Sequence, residues 1–256
     1  MKTSIAKYFL LTALFSILIS CDKQDYCECQ PCISANLMNN CVAYYPFNSN
    51  AKDESGYNNN GIVIGATLCE DRHGNQNRAY KFDGRNDYIE VKANDILRNI
   101  GSPFSSWSFS AYIKAFDTPI NSEYTILSNY YSESGNDPTF SVFLQENTKG
   151  GFSSYIRKAS IDIGTTTSFD IIDNEFHHIV VIYDSEKTLT QLYFDNTLVD
   201  QKTFDNSGDY SSNNNYHIGA HFWAGRISGN FKGVIDEVRI FNRALTVNEI
   251  KLLYNE

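Results

Sequence analysis

The chain has 256 residues, 42% of them hydrophobic and 20% charged, which is too apolar for a disordered chain and enough for a core. A formal net charge of -9 with 21 Lys and Arg, none of them clustered, leaves no electrostatic footprint for a phosphate backbone and excludes nucleic acid as a partner class. Seventeen Tyr and 17 Phe against two Met, with heavy use of Asn, favour many short strands joined by turns over helices.

At the N-terminus Lys2 and Lys7 flank an apolar run from Tyr8 to Ile19, too short for a permanent membrane span but suited to the apolar part of a secretory signal. The run ends Leu18-Ile19-Ser20-Cys21, which resembles the lipobox of bacterial lipoproteins. The resemblance implies a signal peptide over residues 1–20 and lipidation of Cys21, which becomes the mature N-terminus and anchors the chain to the outer membrane, at its periplasmic face or the cell surface. Removing Lys2 and Lys7 with the signal moves the net charge from -9 to -11. Residues 21–40, with neither strand nor helix periodicity, read as the lipidated Cys and a flexible tether.

An exported chain meets oxidising conditions, so disulfides are expected among Cys27, Cys29, Cys32, Cys41 and Cys69. If residues 41–47 and 61–67 pair as antiparallel strands around the Asp53/Gly56 turn, Cys41 and Cys69 meet at one open edge and form the preferred bridge. Of the other three thiols two can pair; a three-thiolate metal site is the alternative, without a fourth ligand nearby.

From Cys41 onward, thirteen short segments show strand character: CVAYYPF, GIVIGAT, AYKFDG, YIEVK, WSFSAYIK, YTILSNYY, TFSVFLQE, FSSYIR, FHHIVVIYD, TQLYFDN, TLVDQKTF, YHIGAHF and GVIDEVRIF. That is more than one open sheet holds comfortably. Turn signals at Asp195-Asn196, Gly84-Arg85-Asn86 and Gly150-Gly151 mark hairpins, which predicts an all-β fold, a two-sheet antiparallel sandwich. Only the end reads as helical: Thr246 caps, Glu249 follows three residues later, and Ile250, Leu253 and Tyr254 recur at helical spacing. No linker or composition break interrupts residues 41–256, so they form one domain.

Taken in order, AYYPFNSNAKDESGYNNNGIVIGAT at 43–67, AYKFDGRNDYIEV at 79–91, FSAYIK at 109–114, EFHHIVVIYD at 175–184, LYFDNTLV at 192–199 and GVIDEVRIFNRALTVNEI at 233–250 resemble the laminin-G-like, concanavalin A-like jelly rolls of bacterial surface proteins. Tyr112 and Phe176 stand where that family has Trp, and Asn196 where it has Gly. The resemblance implies a calcium ion near the chain ends, held by the Asp-x-Ser-Gly turn and the Asp of the closing strand. Asp53 and Asp236 are the expected side-chain ligands, with carbonyls near Asn60 and Gly61. Period two puts Val234, Asp236, Val238 and Ile240 on one face, so Asp236 needs a cation within an apolar stripe. The alternative to calcium is an Asx turn at Asp53 and an arginine partner for Asp236, from Arg239 or another strand.

For ligand binding, Trp107 alternates with Phe109, Ala111 and Ile113 and reads as core. Phe222 and Trp223 lie in the loop HFWAGRISGN, an aromatic platform with Arg226, Asn230 and His221 as polar neighbours. Tyr130 and Tyr131 form a second such group. His177 and His178 face opposite sides of a strand and cannot share an ion. The glucanase pattern Glu-x-Asp-x-x-Glu is absent, as are Gly-x-Ser-x-Gly and His-Glu-x-x-His. The sequence therefore points to a non-catalytic, membrane-anchored module recognising glycan or glycosylated partners. The alternatives are an adhesion or scaffold domain that binds protein, and a diverged glycoside hydrolase.

Overall fold

Eighteen strands account for nearly all regular structure among the residues described by the computed structural model, which are 37–102, 105–117, 123–132, 139–145, 151–158, 161–166, 171–204, 213–223 and 225–256. In chain order they are β1 (Cys41–Tyr45), β2 (Gly61–Ile64), β3 (Thr67–Cys69), β4 (Ala79–Asp83), β5 (Tyr88–Val91), β6 (Trp107–Ala115), β7 (Tyr124–Ser128), β8 (Tyr131–Ser132) and β9 (Thr139–Leu144), then β10 (Phe152–Lys158), β11 (Ile161–Thr166), β12 (His177–Asp184), β13 (Leu189–Phe194), β14 (Thr197–Thr203), β15 (Tyr216–Ile218), β16 (His221–Trp223), β17 (Arg226–Ser228) and β18 (Lys232–Phe241). One helix, α1 (Val247–Tyr254), closes the chain, and its Thr246–Glu249 capping box is formed as the spacing predicts.

An eight-stranded sheet runs β14-β13-β12-β6-β18-β4-β3 with β1 also on β18, and a seven-stranded sheet runs β11-β10-β9-β7-β15-β5-β2. Their inner faces meet in one core, to which Phe109, Ile113, Val181 and Ile240 come from one sheet and Ile89, Ile126, Phe140 and Ile218 from the other. Trp107 belongs to it, 1% exposed and stacked on Tyr183. A second cluster on the outer face of the larger sheet packs Val180, Ile182, Tyr193 and Phe241 under Ile250 and Leu253 of α1. The signal, Cys21, Cys27, Cys29 and Cys32 lie outside the described residues.

The expected pairing of the first two strands is corrected. β1 pairs with β18 and β2 with β5, so the chain changes sheets between them and the Asp53 loop is a crossover. Gly84-Arg85-Asn86 likewise carries the chain from β4 in one sheet to β5 in the other, while Asp195-Asn196 is the expected tight hairpin, both residues at positive φ (45° and 61°). The Cys41–Cys69 bridge is not formed, and both thiols are free. Cys41 stands opposite Phe241, whereas Cys69 stands opposite Ala79, level with Asp236 and two strands away from β18. At about 3.3 Å per strand residue the two are on the order of 15 Å apart along β18, beyond the roughly 7 Å Cα limit for a disulfide.

Gly219 divides YHIGAHF into β15 and β16. Its φ is +87°, and a Cβ there would lie 2.5 Å from Phe82 Cε1 inside the core. Gly219→Ala should therefore cost about 2–4 kcal/mol, against about 1 kcal/mol for Gly56→Ala, where φ is +95° but nothing lies within 4 Å. Urea unfolding midpoints of the two variants check this; equal shifts would show that β16 does not depend on the left-handed turn.

Candidate functional site

β15 lies between β5 and β7, and its alternation decides what each face receives. Tyr216 and Ile218 point inward, and the Tyr216 hydroxyl donates to the carbonyls of Leu97 and Ile100, both at 2.9 Å. His217 points outward beside Glu90 of β5, with Nε2 3.7 Å from the carboxylate. After Gly219 the chain turns over this outer face and forms a three-stranded sheet, β17-β16-β8, in which β16 pairs antiparallel with β17 and parallel with β8.

This small sheet brings together both aromatic groups picked out in the sequence. HFWAGRISGN is a hairpin rather than a loop, and Phe222 is in register with Tyr131 and Trp223 with Ser132. The pair is not one platform, because neighbouring strand residues face opposite ways. Phe222 turns toward the seven-stranded sheet, its ring 4.5 Å from His217 and edge-on to Tyr88 at 5.7 Å, while Trp223 is 61% exposed. Arg226 is exposed opposite Trp223. Tyr130 is buried edge-on against His221, so it is a support rather than a contact residue, and the Tyr131 side chain lies outside the described residues. Asn230 lines a separate cavity with Asp83, Asp117 and Glu123 and does not join Trp223.

Beneath the hairpin is a cavity of about 240 Å³ lined by Glu90, Asn213, Asn214, Asn215, His217 and Phe222. Asn215 is fixed by accepting the Ala93 N–H at 3.0 Å. The hairpin is held from below by His221, whose Nδ1 lies 2.8 Å from Thr125 Oγ1 and 3.3 Å from Glu123. Burial pushes both His217 and His221 down to about 4, so both rings are neutral near pH 7. Sequence reasoning missed Glu90, His217 and Asn213 to Asn215. The available signals were the outward positions of YIEVK and YHIGAHF and the asparagine run just before β15.

The residues expected to hold calcium are elsewhere and do not converge. Asp53 accepts the N–H groups of Tyr44 (2.9 Å) and Ser55 (2.8 Å) on one oxygen and that of Asn59 (2.8 Å) on the other. Asn60 accepts the Asp53 N–H through its side chain, and Gly61 donates to the Ala51 carbonyl. Three N–H donors on this carboxylate make it the brace of an Asx-type loop, the arrangement set out above as the alternative to calcium. Among the described residues no group of three or more His, Cys, Asp or Glu is arranged to hold a metal ion. Asp236, 1% exposed, pairs with Arg72 at 3.3 Å rather than Arg239, and Arg72 also covers the Tyr112 ring at 4.1 Å. The predicted apolar stripe is wrong at this point. Glu237 has φ +51° in a β-bulge, which sends Ile235, Val238 and Ile240 to the core and Asp236 and Arg239 to the outer face. Arg239 there pairs with Glu237 at 3.0 Å and Glu256 at 2.7 Å.

The other histidines behave as expected. His178 is buried against Ser110 at 2.8 Å, and His177 faces Asp195 and Asp173 at the strand's start, with Asp173 and Glu175 exposed in the turn before it.

With this geometry in place, the family is clear: residues 83–251 match Laminin_G_3, described as the concanavalin A-like lectin/glucanases superfamily, and the chain belongs to it. No curated protein matches in sequence. Among solved structures, the chain is similar to the binding domain of Paraclostridial Mosquitocidal Protein 1 (20% identity, TM-score 0.68, covering 86% of this chain and 52% of that one). It is also similar to domain 4 of AbnA, a GH43 extracellular arabinanase from Geobacillus stearothermophilus, in complex with arabinotriose (20% identity, TM-score 0.64, covering 84% and 98%). A third match comes from work on cell entry of botulinum neurotoxin type C through two ganglioside molecules (19% identity, TM-score 0.66, covering 87% and 52%). The chain thus spans about half the length of the toxin binding domains and nearly all of the arabinanase domain. At these identities the likeness is one of fold.

Burial, with Glu237 adjacent, raises the Asp236 carboxyl to about 7 despite the Arg72 guanidinium. The folded state therefore holds a proton that the unfolded chain releases near pH 4, and wild-type stability falls as pH rises from about 4 to about 7. Asp236→Asn carries no such proton, so its melting temperature should gain on that of wild type across this window. A constant difference from pH 4 to 7 would show that Asp236 ionises as in the unfolded chain.

Proposed function

We propose that this protein is a non-catalytic carbohydrate-binding module that takes glycan on the outer face of the seven-stranded sheet, at the cavity lined by Glu90, His217 and Phe222 and along the hairpin that exposes Trp223. One observation carries the reading: the three-stranded sheet covers a cavity lined by asparagine amides, one carboxylate and the Phe222 ring, and exposes Trp223 on the other face of the same hairpin. A sugar ring needs that combination, an apolar face for its C–H groups and planar polar groups for its hydroxyls. The arabinotriose complex of the arabinanase domain and the ganglioside dependence of the type C neurotoxin support glycan as the ligand class for this chain also. Binding without hydrolysis is supported by the cavity lining. It includes a single carboxylate, Glu90, among the described residues, whereas glycoside hydrolysis uses two, roughly 5–10 Å apart. The protein-binding alternative has no observation of its own here.

The test is a glycan array followed by calorimetric titration of the bound sugars. Trp223→Ala should weaken binding by roughly tenfold or more, the equivalent of about 1.4 kcal/mol, with no change in melting temperature, since the side chain is 61% exposed. Retention of no glycan, or full affinity in the variant, overturns the reading.

We further propose that the module is tethered by acyl chains on Cys21, the lipobox being its support. Acyl chains contribute about 0.8 kcal/mol per buried methylene, so two or more on one residue anchor a soluble domain stably. In cells given labelled palmitate, the wild-type chain should carry label and sediment with membranes, while Cys21→Ser should lose both properties. Unlabelled wild-type protein in the soluble fraction rejects the anchor.

A further inference from the structure

The cavity beneath the hairpin says more about its sugar than that it is one. Its 240 Å³ is below the roughly 300–1,000 Å³ of pockets for drug-sized ligands, which leaves room for a single ring. Among the described residues that line it, Glu90 alone carries a formal charge. The flanking cations do not enter: Lys92 lies one residue past β5, exposed, and Arg226 is exposed on β17, both outside the lining. Lys232 and Arg85 belong to the neighbouring cavity, where Lys232 is already bonded to Asp117.

His217 fixes what Glu90 can do. The residue is 3% exposed, and its Nδ1 is sealed from solvent with no hydrogen-bond partner among the described residues. A buried N–H without an acceptor is rarer and costlier than a buried acceptor without a donor. The proton of the neutral ring therefore sits on Nε2, the nitrogen that faces the carboxylate at 3.7 Å. The Glu90 carboxylate, 26% exposed on its side chain, faces that N–H and offers acceptor oxygens to the cavity. Asn213 and Asn214 line the same cavity, and their amides carry both donors and acceptors.

We propose, resting on the glycan-binding reading above, that this cavity is a subsite for one uncharged sugar residue, that the Glu90 carboxylate accepts two of its hydroxyls, and that the same carboxylate excludes sugars bearing an acidic group. His217 is a positioning residue. An approaching uronate or sialate would set a second carboxylate against Glu90 with no cation among the described lining residues to compensate, whereas a neutral ring brings O–H donors without that charge.

Calorimetric titration with matched probes tests this: arabinotriose, xylotriose and lactose as neutral sugars, trigalacturonate and 3′-sialyllactose as acidic ones. At least one neutral probe should bind, and neither acidic probe should bind as tightly. Glu90→Gln should weaken the neutral probe roughly tenfold to hundredfold, the loss expected when a charged acceptor is replaced by an amide. Should Glu90→Gln fail to fold, Asn213→Ala at the exposed rim gives the second reading and should weaken the same probe. Tighter or equal binding of an acidic probe overturns the subsite, as does wild-type affinity in Glu90→Gln. If Trp223→Ala loses binding while Glu90→Gln and Asn213→Ala do not, the module still binds glycan and only the subsite falls. If no probe of either kind binds, and the array is also blank, both fall together.

Discussion

One extra residue in β18 sets the geometry of the larger sheet. Between Asp236 and Arg239 the strand advances three residues while its partner β6 advances two, from Tyr112 to Ser110, and Glu237 takes up the difference at φ +51°. Such a conformation costs a non-glycine residue about 1–3 kcal/mol. It is over-determined here, since Glu237 accepts the Tyr44 hydroxyl at 2.8 Å and pairs with Arg239, whose guanidinium lies 4.1 Å from the Tyr44 ring. The bulge falls at the junction where the free edge of β18 passes from β4 to β1, so one strand supports β6 on one side and two strands end to end on the other. It also turns Asp236 and Arg239 outward together, which three-residue spacing on a regular strand forbids.

A two-layer sandwich has two inner faces, which bury each other, and two outer faces, which need separate solutions. On the eight-stranded sheet the outer face is closed structurally. Helix α1 covers Val180, Ile182 and Phe241, and polar groups beside them form pairs such as Arg72 with Asp236 and Ser110 with His178. The Tyr112 hydroxyl donates to the Tyr254 carbonyl at 2.7 Å, which ties the helix end to the same network. Among the described residues, three short strands lie over the outer face of the seven-stranded sheet, and beneath them is a cavity rather than a packed cluster. The proposed ligand surface and the lock at the chain's end therefore lie on the outer faces of different sheets.

Much of this was legible in the residues. Strand alternation placed Trp107, Phe109, Ala111 and Ile113 in the core and His177 and His178 on opposite faces, because side-chain direction on a regular strand depends only on parity. The capping box at Thr246 and Glu249 was equally local. Pairing was not. The expectation that β1 and β2 form a hairpin assumed that neighbours in sequence are neighbours in a sheet, and this topology sends them to different sheets, which also removed the Cys41–Cys69 bridge. The bulge has no local signature in GVIDEVRI, so parity failed from Glu237 onward and put Asp236 on the wrong face. The site suffered most from this limit. Trp223 and Phe222 stand out as aromatics in a polar setting, but Glu90 acquires meaning only beside His217, and the adjacency of β5 and β15 joins residues more than a hundred positions apart.

That adjacency also explains how the binding surface is shared between rigid and adaptable parts. Glu90 and His217 sit on strands hydrogen-bonded on both sides, β5 between β2 and β15, and β15 between β5 and β7, so their backbone has little freedom to lose when a ligand arrives. The hairpin above is narrower, but Thr125 donates its N–H to Gly229 at 2.7 Å, Phe222 to Tyr130 at 3.1 Å and Phe231 to Gly219 at 2.8 Å, which pins both feet and the middle of the hairpin to the sheet beneath. His221 fills the space where any side chain at Gly229 would stand, a Cβ there coming within 2.5 Å of its Nδ1. Phe222 is thereby prepositioned as a wall of the cavity, and the entropy of ordering falls mainly on Trp223. On the proposed reading, the hydroxyl pattern of a sugar is selected at the fixed polar wall near Glu90, while the exposed ring of Trp223 asks only an apolar face of the rest of a sugar chain.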